Sequence, residues 1–256
     1  MTSFDQTPDT PQQFGYKVSW FAVKAPDPAS VLHALKLAEA TPSNWASGLA
    51  VVYSRSRESD PWVFVAPPVS GWVLAVSTSW PYPVAGEAPS QTEYQYDIGR
   101  KFDVLFSRLI KRFDDVQFFG SHRVSGFVTW ARALNGEPVR IFAYADEVMA
   151  NVGEQTAEEA RLGLANLSGL SPSDASDRMF EIANEQDAEV ERLIAGGLSR
   201  REALARLHQD SRDAIPNETD VTDLAAFWSI NPAEALDQDD PTDLGLAVRL
   251  PKDLVQ

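Results

Sequence analysis

The sequence predicts an α+β fold: a mixed, mostly antiparallel sheet from two helix-then-three-strand units, with an acidic C-terminal helical segment. Three observations support this prediction. Runs of β-branched and aromatic residues alternate with turn residues early in the chain, two helical patterns interrupt them in the same order, and helical periodicity takes over after residue 146. With 256 residues, 44% of them hydrophobic, the chain is long enough to form a sizeable core.

The first helix-then-three-strand unit follows an opening strand. Residues 14–24 are rich in β-branched and aromatic side chains and predict that strand. Asp27 is a good N-cap and Pro28 suits the first helical position, so a helix is expected over 28–40. Turn residues then separate three β-like runs, which we expect to form strands at 49–53, 62–66 and 72–78.

The second unit repeats this order of elements. Apolar residues from Ile98 to Phe113 fall on one helical face and predict a helix over 97–113. Asn135-Gly136 is a strong hairpin dipeptide and is expected to join the last two strands of the unit. The three predicted strands lie at 116–119, 124–133 and 139–144. The shared order of the two units suggests an internal duplication. The sheet that they form is expected to carry helices on one face.

The C-terminal part is predicted to be mainly helical. Ser171-Pro172 marks the start of a long helix, and Gly196-Gly197 marks its end. The further elements are a second capped helix from Ser199, a third helix around 219–229 and a last strand at 245–250. The first two helices form a hairpin, which should be folded but peripheral to the sheet.

These elements divide the chain into four segments. The start of the chain is polar and contains proline, which is typical of a disordered lead-in. The helical hairpin is the least aromatic part of the chain, with Phe180 alone. The segments are a disordered N-terminus at 1–13, an α+β domain at 14–160, a helical hairpin insertion at 166–215, and a C-terminal helix and strand at 217–256 that pack back on the main domain.

The excess of negative charge is confined to the C-terminal part. Residues 1–145 contain 13 basic and 13 acidic residues, whereas residues 146–256 contain 9 basic and 24 acidic residues, a net charge of −15. An acidic surface repels phosphate backbones and attracts basic partners. We therefore expect a basic protein partner and not a nucleic acid. The alternative is a solvated helical surface that only keeps the chain in solution.

Motifs for catalysis, metals and cofactors are missing. The chain has no cysteine, which excludes disulfides, thiolate nucleophiles and cysteine-ligated zinc. Its three histidines, His33, His122 and His208, have no partners at metal-ligand spacing, and glycine-rich phosphate loops are absent. We predict no catalytic residue, metal or cofactor. The sequence also lacks a signal peptide and any run near 18 apolar residues, so the expected location is cytoplasmic, without a membrane.

Two groups of residues are candidates for binding. A small-ligand site is expected if side chains around the sequence FFGSHR converge, namely His122, Arg123, Trp130, Arg132 and Tyr144. The alternative there is a turn whose His and Arg side chains face solvent. A long loop over 80–96 carries aromatic residues that are typical of recognition surfaces, namely Trp80, Tyr82, Tyr94 and Tyr96.

Several stretches resemble a known family. They are VSWFAVK, APPVSGWVLAV, DDVQFFGSHRVSGFVTWARALNGEPVRIFAYADE, TDVTDLAAFWSINPAEAL and GLAVRLP. Together they are similar to an uncharacterised family of bacterial proteins, some of which are associated with polymorphic toxin immunity loci. The resemblance covers 14–160 and 217–251, and it supplies no catalytic residues.

The leading functional hypothesis follows from the resemblance and the acidic C-terminal part. It is a non-enzymatic binding protein of the immunity type, which would bind and occlude a basic toxin. The alternative is an enzyme or small-ligand-binding protein with a site near His122, Arg123 and Arg132.

Overall fold

The computed structural model describes residues 4–54, 61–85, 92–210, 214–234, 240–241 and 243–254, and for 208–210 it describes the backbone alone. Several sequence predictions therefore lie partly outside the described residues. They concern positions 1–3 of the N-terminal segment, positions 86–91 of the aromatic loop, the side chain of His208, positions 211–213 of the hairpin segment, and positions 235–239, 242 and 255–256 of the C-terminal segment.

The α+β class is confirmed, because the described residues form a nine-stranded antiparallel sheet and seven helices. The strands are β1 (Val18–Val23), β2 (Thr41–Ser43), β3 (Trp62–Val65), β4 (Val73–Ser77), β5 (Asp115–His122), β6 (Phe127–Leu134), β7 (Glu137–Ala145), β8 (Glu147–Val152) and β9 (Gly245–Arg249). The helices are α1 (Pro28–Leu35), α2 (Trp45–Val52), α3 (Glu93–Ile110), α4 (Ala157–Leu162), α5 (Pro172–Ala195), α6 (Arg200–Asp210) and α7 (Glu218–Trp228). Short 3-10 turns lie at Arg123–Ser125 and Lys252–Leu254.

The strand order across the sheet is β2-β9-β3-β4-β1-β5-β6-β7-β8, and the recorded pairings are all antiparallel rather than mixed. The C-terminal strand β9 returns to the sheet and inserts between β2 and β3. Asn135 and Gly136 join β6 to β7 with φ values of 52° and 85°. Positive φ at both positions is what a type I′ hairpin turn requires, so this predicted turn is confirmed.

One face of the sheet is covered by α1 and α3. Phe21 of β1 lies at the centre of this core, with its ring centroid 4.7 Å from that of Phe118 and 5.3 Å from that of Trp80. Apolar residues of α3, such as Phe102 and Leu105, complete the cluster and are fully buried. The apolar face of α3 therefore packs in the core against the sheet, as the amphipathic pattern of the helix predicts.

Helices also cover the opposite face, which corrects the expectation that they would lie on one face only. Trp20 stacks on Phe119 with centroids 5.3 Å apart, and both are fully buried in a core formed with α2, α5 and α7. Because Trp20 and Phe21 are neighbours on the central strand, their side chains point to opposite faces. A sheet with two apolar faces must be covered on both of them, whereas a sheet with one apolar face needs cover on that face alone.

The predicted strand at 49–53 is wrong, because most of it lies in α2. Trp45, Leu49 and Val52 are buried at helical spacing, and the side chain of Asn44 caps the first turn. Such a short apolar run fits a helix and a strand equally well, and the cap decides between them. The first unit is thus interrupted by a helix, and the order of elements in the two units does not strictly repeat.

The N-terminal segment, predicted to be disordered at 1–13, makes specific contacts from residue 4 onward. The ring of Phe4 lies edge-on to Trp62 at a centroid distance of 5.2 Å. The carboxylate of Asp9 accepts hydrogen bonds from the first two backbone N–H groups of α2, at 2.8 and 2.9 Å. A carboxylate at a helix N-terminus is favourable, and this contact orders a segment whose composition predicts disorder.

Strand β8 and helix α4 are not predicted, and they tie the helical part of the chain to the sheet. Ala175, Met179 and Ile182 of α5 are buried in the same core as the sheet residues. The backbone N–H of Val148 in β8 donates a hydrogen bond to the hydroxyl of Ser176, at 2.8 Å. The first half of α5 is therefore core structure, and only the later part of the hairpin is peripheral.

Candidate functional site

The five residues predicted to form a ligand site do not converge. Trp130 and Tyr144 pack in the core beneath α5 and α7, and Arg132 stacks on the Trp228 ring on the same side. His122 instead faces α3, and Arg123 is exposed. His122 also lies five positions along β5 from the residue paired with Arg132, which is about 17 Å along a strand. The single site expected from the sequence is therefore not formed.

Trp130 belongs to a buried polar network. Its indole Nε1–H and the Nε–H of Arg140 both donate to Oε1 of Glu159, each at 2.8 Å. The side chains of Arg140 and Glu159 are only 3% and 2% exposed. Arg140 also donates to Asn151, and the other oxygen of Glu159 accepts the backbone N–H of Thr156. Because every partner is engaged and no solvent reaches the ion pair, the network fixes α4 to β6 and β7 rather than forming a site.

Arg132 and Arg123 hold α7 against the sheet. The guanidinium of Arg132 donates to Asp115 at 2.8 Å and lies 5.5 Å from the centre of the Trp228 ring. Arg123 pairs with Glu218 of α7 at 3.6 Å, although its side chain is 73% exposed. These contacts explain both arginines without a ligand.

The aromatic residues predicted to bind a partner lie in three different environments. Trp80 is fully buried, and its indole N–H donates to the carbonyl of Ala75 at 2.9 Å. Tyr82 is half-buried. Tyr94 and Tyr96 are 61% and 53% exposed near the start of α3. The four residues therefore do not form one recognition surface.

A cleft of about 570 Å³ lies at the end of the sheet on the α3 side. The start of β1, the turn after β4, the first turn of α3, the end of β5 and the turn between β7 and β8 surround it. Its size is typical of small-molecule sites. It contains His122 from one predicted group and Tyr82 and Tyr94 from the other, a combination that sequence analysis did not foresee.

The ring of His122 is held by a short turn at the rim of this cleft. Its Nδ1 lies 3.1 Å from the hydroxyl oxygen of Ser125, and that hydroxyl donates to the backbone carbonyl of His122 at 3.2 Å. The Ser125 hydroxyl therefore fixes the orientation of the imidazole ring, and either of the two atoms can be the donor in the first bond. Among the described residues, the other ring nitrogen, Nε2, has no hydrogen-bond partner and is available to a ligand.

A second feature lies on the outer face of α5. Phe180 is 69% exposed although the residue before it, Met179, is only 2% exposed. Its helical neighbours at i−3 and i+7 are Asp177 and Asp187, and both are exposed. Exposed Glu181 follows it directly. A large aromatic side chain thus stands in solvent among carboxylates.

A groove of about 520 Å³ runs along the neighbouring side of α5. Ile182 and Leu207 supply apolar walls. The polar lining includes Arg178, which pairs with Glu185 at 3.5 Å, and Glu189, which pairs with Arg192. The groove and the surface around Phe180 give α5 a mixed apolar and charged exterior.

Comparisons with protein-family models, curated proteins and solved structures find no match to this chain. These comparisons therefore supply no functional information for this chain. Across the part of the chain that the structure describes, no cluster of three or more potential ligands is arranged to hold a metal ion. Within the same residues, no helix is long and apolar enough to span a bilayer.

Sequence analysis missed Phe180 and Lys17 as functional candidates. Phe180 is an aromatic residue of α5 that lies outside the apolar stripe of the helix. This position predicts an exposed aromatic side chain and could have identified Phe180 from the sequence. Lys17 has no comparable signal, because its place at the cleft depends on strand pairing across β1, β4 and β5.

Proposed function

We propose that this chain is a non-enzymatic binding protein whose partner is a basic protein that docks on the outer face of α5. The observation that carries the proposal is the exposure of Phe180 among carboxylates. The specific form that we propose is an immunity protein that binds and occludes a basic toxin, and this form is motivated by the family resemblance of the sequence.

The chemistry of this face favours a basic partner with an apolar pocket. An exposed phenyl ring gains free energy when a partner removes it from water, and aromatic residues often dominate binding energy at interfaces. Surrounding carboxylates attract a basic surface, accelerate association and oppose acidic competitors. Asp177 and Asp187 supply such charges near Phe180, whereas Glu181 pairs with Arg178 at 2.9 Å.

The opposite face of α5 makes the docking surface rigid. Met179 and Ile182 are buried in the main core, so the helix cannot rotate without exposing them. The Ser176 hydroxyl, which accepts a hydrogen bond from β8, fixes the first turns as well. A preorganised surface loses less conformational entropy on binding than a mobile one.

The proposal predicts that a gene for a basic toxin adjoins the gene for this chain, and the test uses the full chain together with the product of that gene. Cells that express the toxin should grow when the chain is co-expressed, and the purified pair should form a complex. We expect Phe180→Ala to weaken the complex about 10- to 100-fold, because it removes the central aromatic contact. The matched control is Val124→Ala, since Val124 is also apolar and is 79% exposed on a distant turn. Equal affinities for the two variants would contradict the proposed docking face.

Charge reversal provides a second arm of the test. The double variant Asp177→Lys with Asp187→Lys should slow association and reduce its dependence on salt. Glu137→Lys with Glu154→Lys is the control, because these exposed carboxylates lie away from α5. If the adjacent toxin does not bind the wild-type chain at any salt concentration, the proposed function is wrong.

A further inference from the structure

The cleft at the end of the sheet has a charge that contrasts with the rest of the chain. Acidic residues outnumber Lys and Arg by 37 to 22 overall. Yet the described residues that line the cleft include Lys17 and His122 and no Asp or Glu. In an acidic protein, a lining of this kind favours an anionic occupant.

Hydrogen-bonding groups in the cleft are left without protein partners. Within the described residues, the hydroxyls of Ser19, Ser79, Tyr82 and Tyr94 have no hydrogen-bond partner. Burial raises the pKa of Tyr82, and the neighbouring Tyr94 phenol adds to the rise, so this hydroxyl remains a donor at neutral pH. Such unengaged donors around a cleft are suited to an oxygen-rich anion.

The floor of the cleft depends on a glycine. A Cβ atom at Gly120 would lie 2.4 Å from the hydroxyl oxygen of Ser19 and 3.1 Å from a methyl group of Thr129. Gly120 therefore allows the Ser19 hydroxyl to lie across β5. Lys17, at the rim, has a φ of 55°, a left-handed conformation that is uncommon for a residue other than glycine. Backbone strain of this kind is often found at binding sites.

An apolar wall completes the cleft. The rings of Tyr82 and Phe127 are tilted against each other with centroids 4.8 Å apart, and Met149 lies beside them. A flat ring would fit against this wall, because aromatic pairs are favourable at such separations.

We propose that this cleft binds a small organic anion that carries an aromatic ring, with the ring against Tyr82 and Phe127 and the anionic group at Lys17 and His122. The site is separate from the docking face on α5, and it does not depend on the function proposed above. The geometry assigns the ligand class only: an aromatic carboxylate or an aromatic phosphate monoester has the required chemistry.

The experiment follows the imidazole resonances of the full chain by NMR, with phenyl phosphate and benzoate as probes. The chain has three histidines, so loss of one resonance in His122→Asn assigns that ring. We expect at least one probe to shift the His122 resonance in a saturable manner, with a Kd of about 1 mM or tighter. The tighter probe then identifies the preferred anionic group.

Three controls decide the outcome. Lys17→Gln should weaken binding at least about fivefold, whereas Lys24→Gln, at an exposed site outside the cleft, should not. Phenol and benzylamine, which share the ring but lack the negative charge, should bind more weakly than the anions. Phe180→Ala should leave the titration unchanged. The proposal is wrong if neither anion perturbs His122, if phenol or benzylamine binds as tightly, or if the two lysine variants behave alike.

Discussion

Glu159 shows how a single carboxylate can be essential to the fold without being a functional group. It accepts hydrogen bonds from Trp130, Arg140 and the backbone of Thr156, and it is almost inaccessible to water. Buried ion pairs contribute modest net stability when intact, but removal of one partner leaves an uncompensated charge. The network is therefore sensitive to loss of either charge.

We expect Glu159→Ala to lower the free energy of unfolding by about 3–5 kcal/mol, because it leaves the Arg140 guanidinium buried without a counter-charge. Urea unfolding followed by tryptophan fluorescence would measure the change. Glu154→Ala is the matched control, since Glu154 is exposed and lies in the loop before α4. Similar unfolding midpoints for the two variants would show that the ion pair is not needed to hold α4.

At the scale of single elements, α5 changes character along its length. Its first half contributes Met179 and Ile182 to the core of the sheet, whereas its partner helix α6 leaves Leu204 38% exposed. Stability should therefore fall from the sheet toward the tip of the hairpin.

This gradient predicts that Met179→Ala destabilises the chain by about 2–4 kcal/mol, because it opens a cavity beneath α5. Leu204→Ala should cost less than about 1 kcal/mol, since much of that side chain is already in water. Thermal unfolding of both variants, with hydrogen exchange of the α5 and α6 amides, would measure the difference. If the two variants lose equal stability, the hairpin is one cooperative unit with the sheet.

The elements also show what sequence patterns could and could not predict. Helix α3 and the β6–β7 hairpin were predictable, because an apolar face and the Asn135-Gly136 turn act locally. Helix α2 was not, since its short apolar run fits either period. The cleft could not be predicted from local patterns either, because strand pairing between distant segments brings Lys17, Tyr82 and His122 together.

At the scale of the whole molecule, the excess negative charge has an energetic consequence of its own. All of the net charge of −15 arises after residue 145, and α5 alone exposes several carboxylates on one face. Like charges held close together repel each other and destabilise the compact state. Salt screens this repulsion over a Debye length of about 10 Å at 0.1 M.

We expect the melting temperature to rise by about 2–4 °C between low salt and about 0.3 M NaCl, because screening relieves repulsion worth about 1 kcal/mol. The rise should be smaller in a variant with Asp177→Asn and Asp187→Asn. Differential scanning calorimetry at neutral pH would measure both. A melting temperature that falls with salt would mean that attractive ion pairs outweigh the repulsion.

The position of β9 in the sheet has a consequence for folding during synthesis. Residues 62–65 of β3 pair with 246–249 of β9, so one edge of β3 stays open until residues 246–249 have left the ribosome. Pairings between such distant segments form slowly, and an open strand edge can join another chain meanwhile. The nascent protein must therefore pass through a stage in which the central strands are paired but one edge of β3 has no partner strand. Chains that stop short of β9 should aggregate through that edge.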